Sequence, residues 1–404
     1  MHEARTAMEY RSSITHVDSP GDLLDPRLYA DVRRPLLEAS QLPAWCYTSS
    51  EFFARERDRI FAREWIMVGR AEDIPKSGDY FTTLLAGVPL VVVRGRSGQI
   101  RAFVNSCRHR GTEMVRGHGN RRVLTCPYHS WCYSLDGDLL SAPGMEGVDG
   151  FDKNEYPLVG IGFAEWEGFL FANLNPGHAP LDEHLGDLKR TLASHRMGDL
   201  VTVRKETYEL QCNWKLLIEN FKESYHLATV HRSTIDTYAS VRVAGYVPET
   251  TRGEYLVSFA SHDGSMALFR EDKGFPPIRT LDEKAANGSY FPLVYPHLGL
   301  CATIDCCWYL QVEPKDASHT RLTVGSLFPR ETVERPDFAD VVNNYFKRWD
   351  ITIAEDNEIC ELQQRGLASN HPVRAGRYAP NEANVHAIDN WVLDRVLGDA
   401  GSIR

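Results

Sequence analysis

Between Asn105 and Trp131 the chain reads NSCRHRGTEMVRGHGNRRVLTCPYHSW, in which Cys107-x-His109 is followed by Cys126-x-x-His129. Each motif offers one thiolate and one imidazole. Two hairpin tips facing each other can set Cys107 and Cys126 on one iron and His109 and His129 on a second. That is the donor set of a [2Fe–2S] centre in which two histidines replace two cysteines, a change that raises its reduction potential. Gly111 and Gly117 suit close backbone approach around such a group, and Pro127 stiffens the second tip. Structural zinc sites usually pair like with like, as C-x₂₋₄-C and H-x₃₋₅-H. Zinc stays open as the alternative, and it would be colourless where the cluster is red-brown. An iron–sulfur centre of this kind moves single electrons, so a second site must receive them.

The segment CNWKLLIENFKESYHLATVH (212–231) supplies candidates. Trp214, Leu217, Ile218, Phe221 and Tyr225 fall on one helical stripe, the expected core face, while Glu219, Glu223 and His226 gather opposite it and His231 follows just beyond. A solvated face is the competing reading of these polar residues. In a long helix near the C-terminus, Val342, Phe346, Trp349, Ile353, Cys360 and Gln363 form the apolar stripe, and Asp356 stands inside it. Its neighbours Glu355 and Glu358 point elsewhere and are expected in solvent. A carboxylate in an apolar stripe is costly unless it is paired or holds a metal. Two histidines and one carboxylate, here His226, His231 and Asp356, make the facial triad of non-haem Fe(II) oxygenases, which leaves coordination positions open.

The elements that must hold these groups are legible in outline. SEFFARERDRIFAREW (50–65) alternates as an amphipathic helix. LAGVPLVVVRG and IRAFVNS read as strands, CYSLDGDLLS as a hairpin turning at Asp136-Gly137, and GFLFANLN as a further strand. This gives a small all-β unit over residues 66–176 after an N-terminal helical arm, 1–65, expected to pack on the second domain, 177–404. NPGHAP (175–180) reads as a linker. Residues 177–404 mix a helix-like stretch at 181–196, strands near 201–211, 254–260 and 299–330, and helices at 213–227 and 336–366, so the fold class is α+β. With 404 residues, 43% of them hydrophobic, the chain can bury two cores. A formal charge of −10 argues against a nucleic-acid partner. No apolar run reaches membrane-spanning length, no signal-peptide pattern opens the chain, and nine irregularly spaced cysteines suit a reducing compartment, so the expected location is the cytoplasm.

The motifs CRHRG (107–111), CPYHSW (126–131), NWKLLIENFKESYH (213–226), His231 and EDNEICELQQRG (355–366) together resemble the α subunits of Rieske non-haem iron oxygenases, over about residues 45–392. The resemblance implies a β-rich Rieske domain and a helix-grip catalytic domain whose antiparallel sheet surrounds a substrate cavity. It implies a [2Fe–2S] cluster, a mononuclear iron on His226, His231 and Asp356, and a head-to-tail homotrimer in which one subunit's cluster serves its neighbour's iron. It also implies a carboxylate bridging the histidines at 129 and 226, at the position of Glu223. Ring-dihydroxylating members usually carry Asp there, whereas members acting on carnitine- and betaine-type quaternary amines carry Glu. The length of this carboxylate either points to such a substrate or reflects only subunit spacing.

The implied activity is that of an oxygenase component. It uses O₂ and electrons from a separate flavin/iron–sulfur NAD(P)H reductase to hydroxylate or N-demethylate a small betaine-like amine, with an aromatic carboxylate as the alternative substrate. GIGFAE (160–165) lacks the third glycine of a dinucleotide fingerprint, so nicotinamide is expected on the partner. Aromatic residues of 289–314, namely Tyr290, Phe291, Tyr295, Trp308 and Tyr309, are candidates to cage an ammonium group by cation–π attraction, or are core. The histidines at 118, 178, 297, 371 and 386 have no spacing that singles them out.

Overall fold

Ala86 and Gly87 both take positive φ, 49° and 84°, the pair of left-handed residues that a type I′ hairpin requires. LAGVPLVVVRG is therefore not one strand: Asp79–Leu85 turns back and pairs antiparallel with Val88–Arg94. The computed structural model describes residues 22–236, 247–249, 251–369 and 375–398; His371 and the first 21 residues of the N-terminal arm lie outside them. Val88–Arg94 pairs next with Ile100–Val104, and His118–Asn120 closes the other edge of this four-stranded sheet. The hairpin at Asp136-Gly137 forms as expected, pairing Cys132–Tyr133 with Leu139–Ser141. Gly137, at φ 98°, has no room for a Cβ, which would lie 2.6 Å from the Phe103 ring. A third small sheet joins Ile66–Arg70, Phe169–Asn173 and Gly162–Trp166.

The second half is built on a seven-stranded antiparallel sheet, in the order Leu200–Leu210, Thr320–Pro329, Cys307–Pro314, Leu298–Ala302, Gly288–Val294, Tyr255–Ser261 and Val247–Pro248. Helices Trp214–Lys222 and Ala383–Leu397 and the long helix Phe338–Leu367 belong to the same half. The α+β expectation holds. The helix expected over 181–196 is instead three short pieces, interrupted at Gly186, where a Cβ would lie 1.5 Å from the Arg252 carbonyl oxygen. Among the described residues no helix is long and apolar enough to cross a membrane.

The helix expected over 213–227 stops at Lys222. Asn213 caps its start by accepting the Lys215 N–H at 3.1 Å. At its end Glu223 is extended (φ −118°, ψ 166°), and its carboxylate accepts the backbone N–H groups of Tyr225 and His226. Those donors are lost to the helix, and a separate turn, Leu227–Val230, begins after His226. The break turns Tyr225 out to 65% exposure rather than onto the core stripe.

Candidate metal centres and cavity

The two tips of the β unit share one backbone design. The Gly111 N–H donates to the Cys107 carbonyl oxygen at 2.9 Å and the Ser130 N–H to that of Cys126 at 3.1 Å. The fourth residue after each cysteine has positive φ, 76° at Gly111 and 60° at Ser130. The Cys107 N–H is returned to Thr112 and the Cys126 N–H to Trp131. Both thiols are thereby buried, while His109 Nδ1 and His129 Nδ1 meet at 3.1 Å toward the outer edge. Thiol thus sits with thiol inside and imidazole with imidazole outside, the segregation that a two-iron centre with unlike ligand pairs needs. Trp131 stacks on His109 at 5.0 Å, and the Tyr133 hydroxyl lies 3.4 Å from Cys107 Sγ while accepting the Arg108 N–H at 3.0 Å. Burial pushes the Cys107 thiol up, so a cation is needed there to hold it as thiolate. Gly117, at φ 65°, donates its N–H to the Thr82 hydroxyl at 2.9 Å in a turn.

His226, His231 and Asp356 converge, with one ligand atom of each lying within 4.8 Å of the others. Asp356 Oδ1 is 2.9 Å from His231 Nε2 and 3.6 Å from His226 Nε2, yet this buried oxygen has no hydrogen-bond partner. Its lone pairs address the space between the rings, which is how a shared metal would be held. The far nitrogens are fixed by carboxylates. Glu223 takes His226 Nδ1, and Glu355 takes His231 Nδ1 at 2.7 Å, so Glu355 is not in solvent as its place on the helix suggested. Glu355 also accepts the Thr234 hydroxyl at 2.7 Å. Burial opposes charge on His231, but Asp356 and Glu355 outweigh it and hold the imidazole above its usual range. A pocket that favours a proton at Nε2 in this way favours a metal cation there as well.

The triad opens into a cavity of ≈ 200 Å³. Its floor follows from strand register: Ser258 pairs with Phe291, and Cys301 pairs with Trp308, in neighbouring strands of the large sheet. Paired residues share a face, and all four line the cavity. Tyr290, Tyr309 and Tyr295 do not line it, which corrects the expectation for Tyr290 and Tyr295. Tyr290 packs against Phe259 at 4.8 Å, Tyr309 meets Phe169 edge-on at 5.5 Å, and Tyr295 stacks on Trp391 at 4.4 Å. Successive side chains of a strand alternate faces, so Phe291 enters the cavity and Tyr290 cannot follow it. Glu219 is buried and accepts the Tyr47 hydroxyl at 3.0 Å, away from the solvated face read from the helix wheel. His178 stands edge-on to Trp65, His297 accepts the Met67 N–H, and His386 bonds the Val32 carbonyl, so these three have local partners.

A tip with buried thiols and outward imidazoles, and a separate triad with an adjoining cavity, define a Rieske non-haem iron oxygenase, which carries a [2Fe–2S] cluster and a mononuclear iron. Residues 64–152 match the Rieske [2Fe-2S] domain, and residues 197–398 match the ring hydroxylating alpha subunit (catalytic domain); the chain belongs to this family. It is 36% identical over 397 residues, 91% of this chain and 88% of the relative, to the glycine betaine monooxygenase oxygenase subunit of Chromohalobacter salexigens. It is 34% identical over 240 residues to the carnitine monooxygenase oxygenase subunit of Escherichia coli, a match that spans 59% of this chain and 63% of that one. Among solved structures, a quaternary ammonium Rieske monooxygenase in complex with gamma-butyrobetaine superimposes with a TM-score of 0.75 at 25% identity, covering 90% of this chain and 97% of that one.

Proposed function

We propose that the protein is the oxygenase component of a monooxygenase that hydroxylates or N-demethylates a small quaternary-ammonium substrate, drawing electrons from a separate reductase. In this reading residues 1–65 form an arm, 66–176 the Rieske domain and 177–404 the catalytic domain of a cytoplasmic homotrimer. Cys107, Cys126, His109 and His129 hold the cluster, and His226, His231 and Asp356 hold the iron. The cluster supplies single electrons and the iron supplies O₂ activation. Glu223 keeps His226 in one tautomer and orientation, and across a subunit boundary its carboxylate reaches the neighbour's Rieske histidine. Glu355 does the same service for His231. Trp308, Phe291 and Phe221 give the cavity an apolar aromatic lining that suits the methyl groups of a small substrate. Hydroxylation of a carbon attached to nitrogen yields a carbinolamine, which collapses to an aldehyde and the demethylated amine.

The observation that carries this reading is the cavity adjoining the triad, with Glu rather than Asp holding His226. Its support in kind comes from relatives named for carnitine and glycine betaine. Single turnover tests it: the chemically reduced holoenzyme is exposed to O₂ with a panel of betaines and aromatic carboxylates, and formaldehyde and products are assayed. Formaldehyde in step with loss of a betaine is expected. A hydroxylated aromatic acid with no betaine turnover overturns the substrate reading.

A further inference from the structure

Lys222 ends the Trp214 helix with its ammonium inside the protein. Nζ donates to the Phe291 carbonyl oxygen at 2.6 Å and to the Ser258 hydroxyl at 3.4 Å. These use two of its three N–H groups. Among the described residues no carboxylate is paired with it. Ser258 and Phe291 belong to the sheet row that floors the cavity, and Cys301 in the same floor lies close enough to feel both Lys222 and Arg348. Arg348, also buried, reaches this wall from the long helix. The acids lining the cavity are engaged elsewhere, Asp356 between two imidazoles and Glu223 on His226. A buried ammonium without a counter-charge is costly, and burial alone pushes Lys222 down to about 7.

We propose that Lys222 anchors a carboxylate of the substrate, so that the cavity selects carboxylate-bearing quaternary amines over choline-like alcohols. The inference rests on the oxygenase reading of this cavity and narrows it. Like charges repel, so the cationic wall that holds the carboxylate turns the ammonium group away from itself. A short zwitterion therefore enters in one orientation, with its N-methyl carbons directed from Lys222 toward the rest of the cavity, where the triad opens.

Equilibrium binding to the holoenzyme tests this with three probes: glycine betaine, 3,3-dimethylbutyrate, which keeps the carboxylate but has a neutral carbon for the ammonium, and choline, which keeps only the ammonium. Lys222→Met, similar in length and apolar, is expected to weaken both carboxylates by ~30-fold or more, the scale for removing one partner of a buried charge pair, and not to weaken choline, whose ammonium then meets one cation fewer. Equal loss for all three probes, or no loss for the carboxylates, overturns the anchor. If 3,3-dimethylbutyrate shows the Lys222 dependence while neither ammonium compound binds, the anchor stands and the quaternary-ammonium reading falls. If betaine binds tightly and the variant binds it equally, the reverse holds. Should Lys222→Met not fold, the wild-type protein decides: 3,3-dimethylbutyrate must bind at least ~10-fold more tightly than 3,3-dimethylbutan-1-ol, and equal binding overturns the proposal.

Discussion

Glu355 and Asp356 are adjacent in sequence and meet the same imidazole from opposite sides, Glu355 at His231 Nδ1 and Asp356 near Nε2. Their roles separate on substitution. Asp356→Ala removes a proposed ligand, so mononuclear iron is expected to be absent after dialysis against chelator. Glu355→Ala removes only the group that orients the ligand, and iron affinity is expected to fall ~10–100-fold. Both variants should keep the visible absorption of the cluster, whose proposed ligands lie in the stretch that matches the Rieske domain. Iron content per chain together with the visible spectrum checks this, and full iron retention in Asp356→Ala removes it from the ligand set. Glu355 was not legible as a partner because a helix wheel shows only which face a residue occupies. The turn carrying His231 and Thr234 that covers that face comes from more than a hundred residues away.

At the scale of elements, the Trp214 helix and the C-terminal helix meet through buried carboxyls. Glu219 takes the Tyr47 hydroxyl, and Asp389 takes the Tyr378 hydroxyl at 2.5 Å. Lys215, paired with Glu56 at 2.6 Å, is the nearby buried cation. Burial pushes Glu219 well above the carboxylate range and Asp389 up to about 7. A carboxyl raised in this way keeps its proton in the folded chain at pH values where the unfolded chain has lost it. Its contribution is therefore fully present below the unfolded value near ~4 and is lost as pH rises toward about 7. Asp389→Asn is neutral throughout, so its Tm should fall less than that of the wild type between pH 5 and 7. Parallel Tm profiles would show that Asp389 does not hold a proton in the fold. The pattern of apolar residues revealed the Trp214 helix but not the C-terminal helix Ala383–Leu397, and it could not show that Glu219 faces a second helix.

For the whole molecule, the two sites lie apart in kind. Tyr128, 56% exposed, flanks His129 at the Rieske tip, and Tyr225 flanks Glu223 and His226. No residue lining the triad's cavity comes from the Rieske domain. The proposed trimer joins these surfaces between neighbours, and complementation tests it. A Cys107→Ala chain lacking the cluster and an Asp356→Ala chain lacking the iron are each expected to be inactive. Co-assembled in equal amounts, they should regain roughly a quarter of wild-type turnover, because in a head-to-tail ring that share of donor–acceptor pairs is intact. Mixed oligomers with no activity would confine electron transfer to one chain.

The sequence by itself determined the metal chemistry. Donor type and spacing within one loop are local properties, and they identify Cys107, His109, Cys126 and His129, and His226 and His231, as candidates; Asp356 stood out as a carboxylate in an apolar stripe, and its meeting with the two histidines is tertiary. Most strands and the long helix were legible for the same reason, since periods of two and of 3.6 residues are also local. Tertiary structure alone decided where the Trp214 helix breaks, which aromatic residues face the cavity, and that Lys222 is buried beside it. Those outcomes depend on sheet register and on what packs over each surface, and both are set by partners distant in the chain.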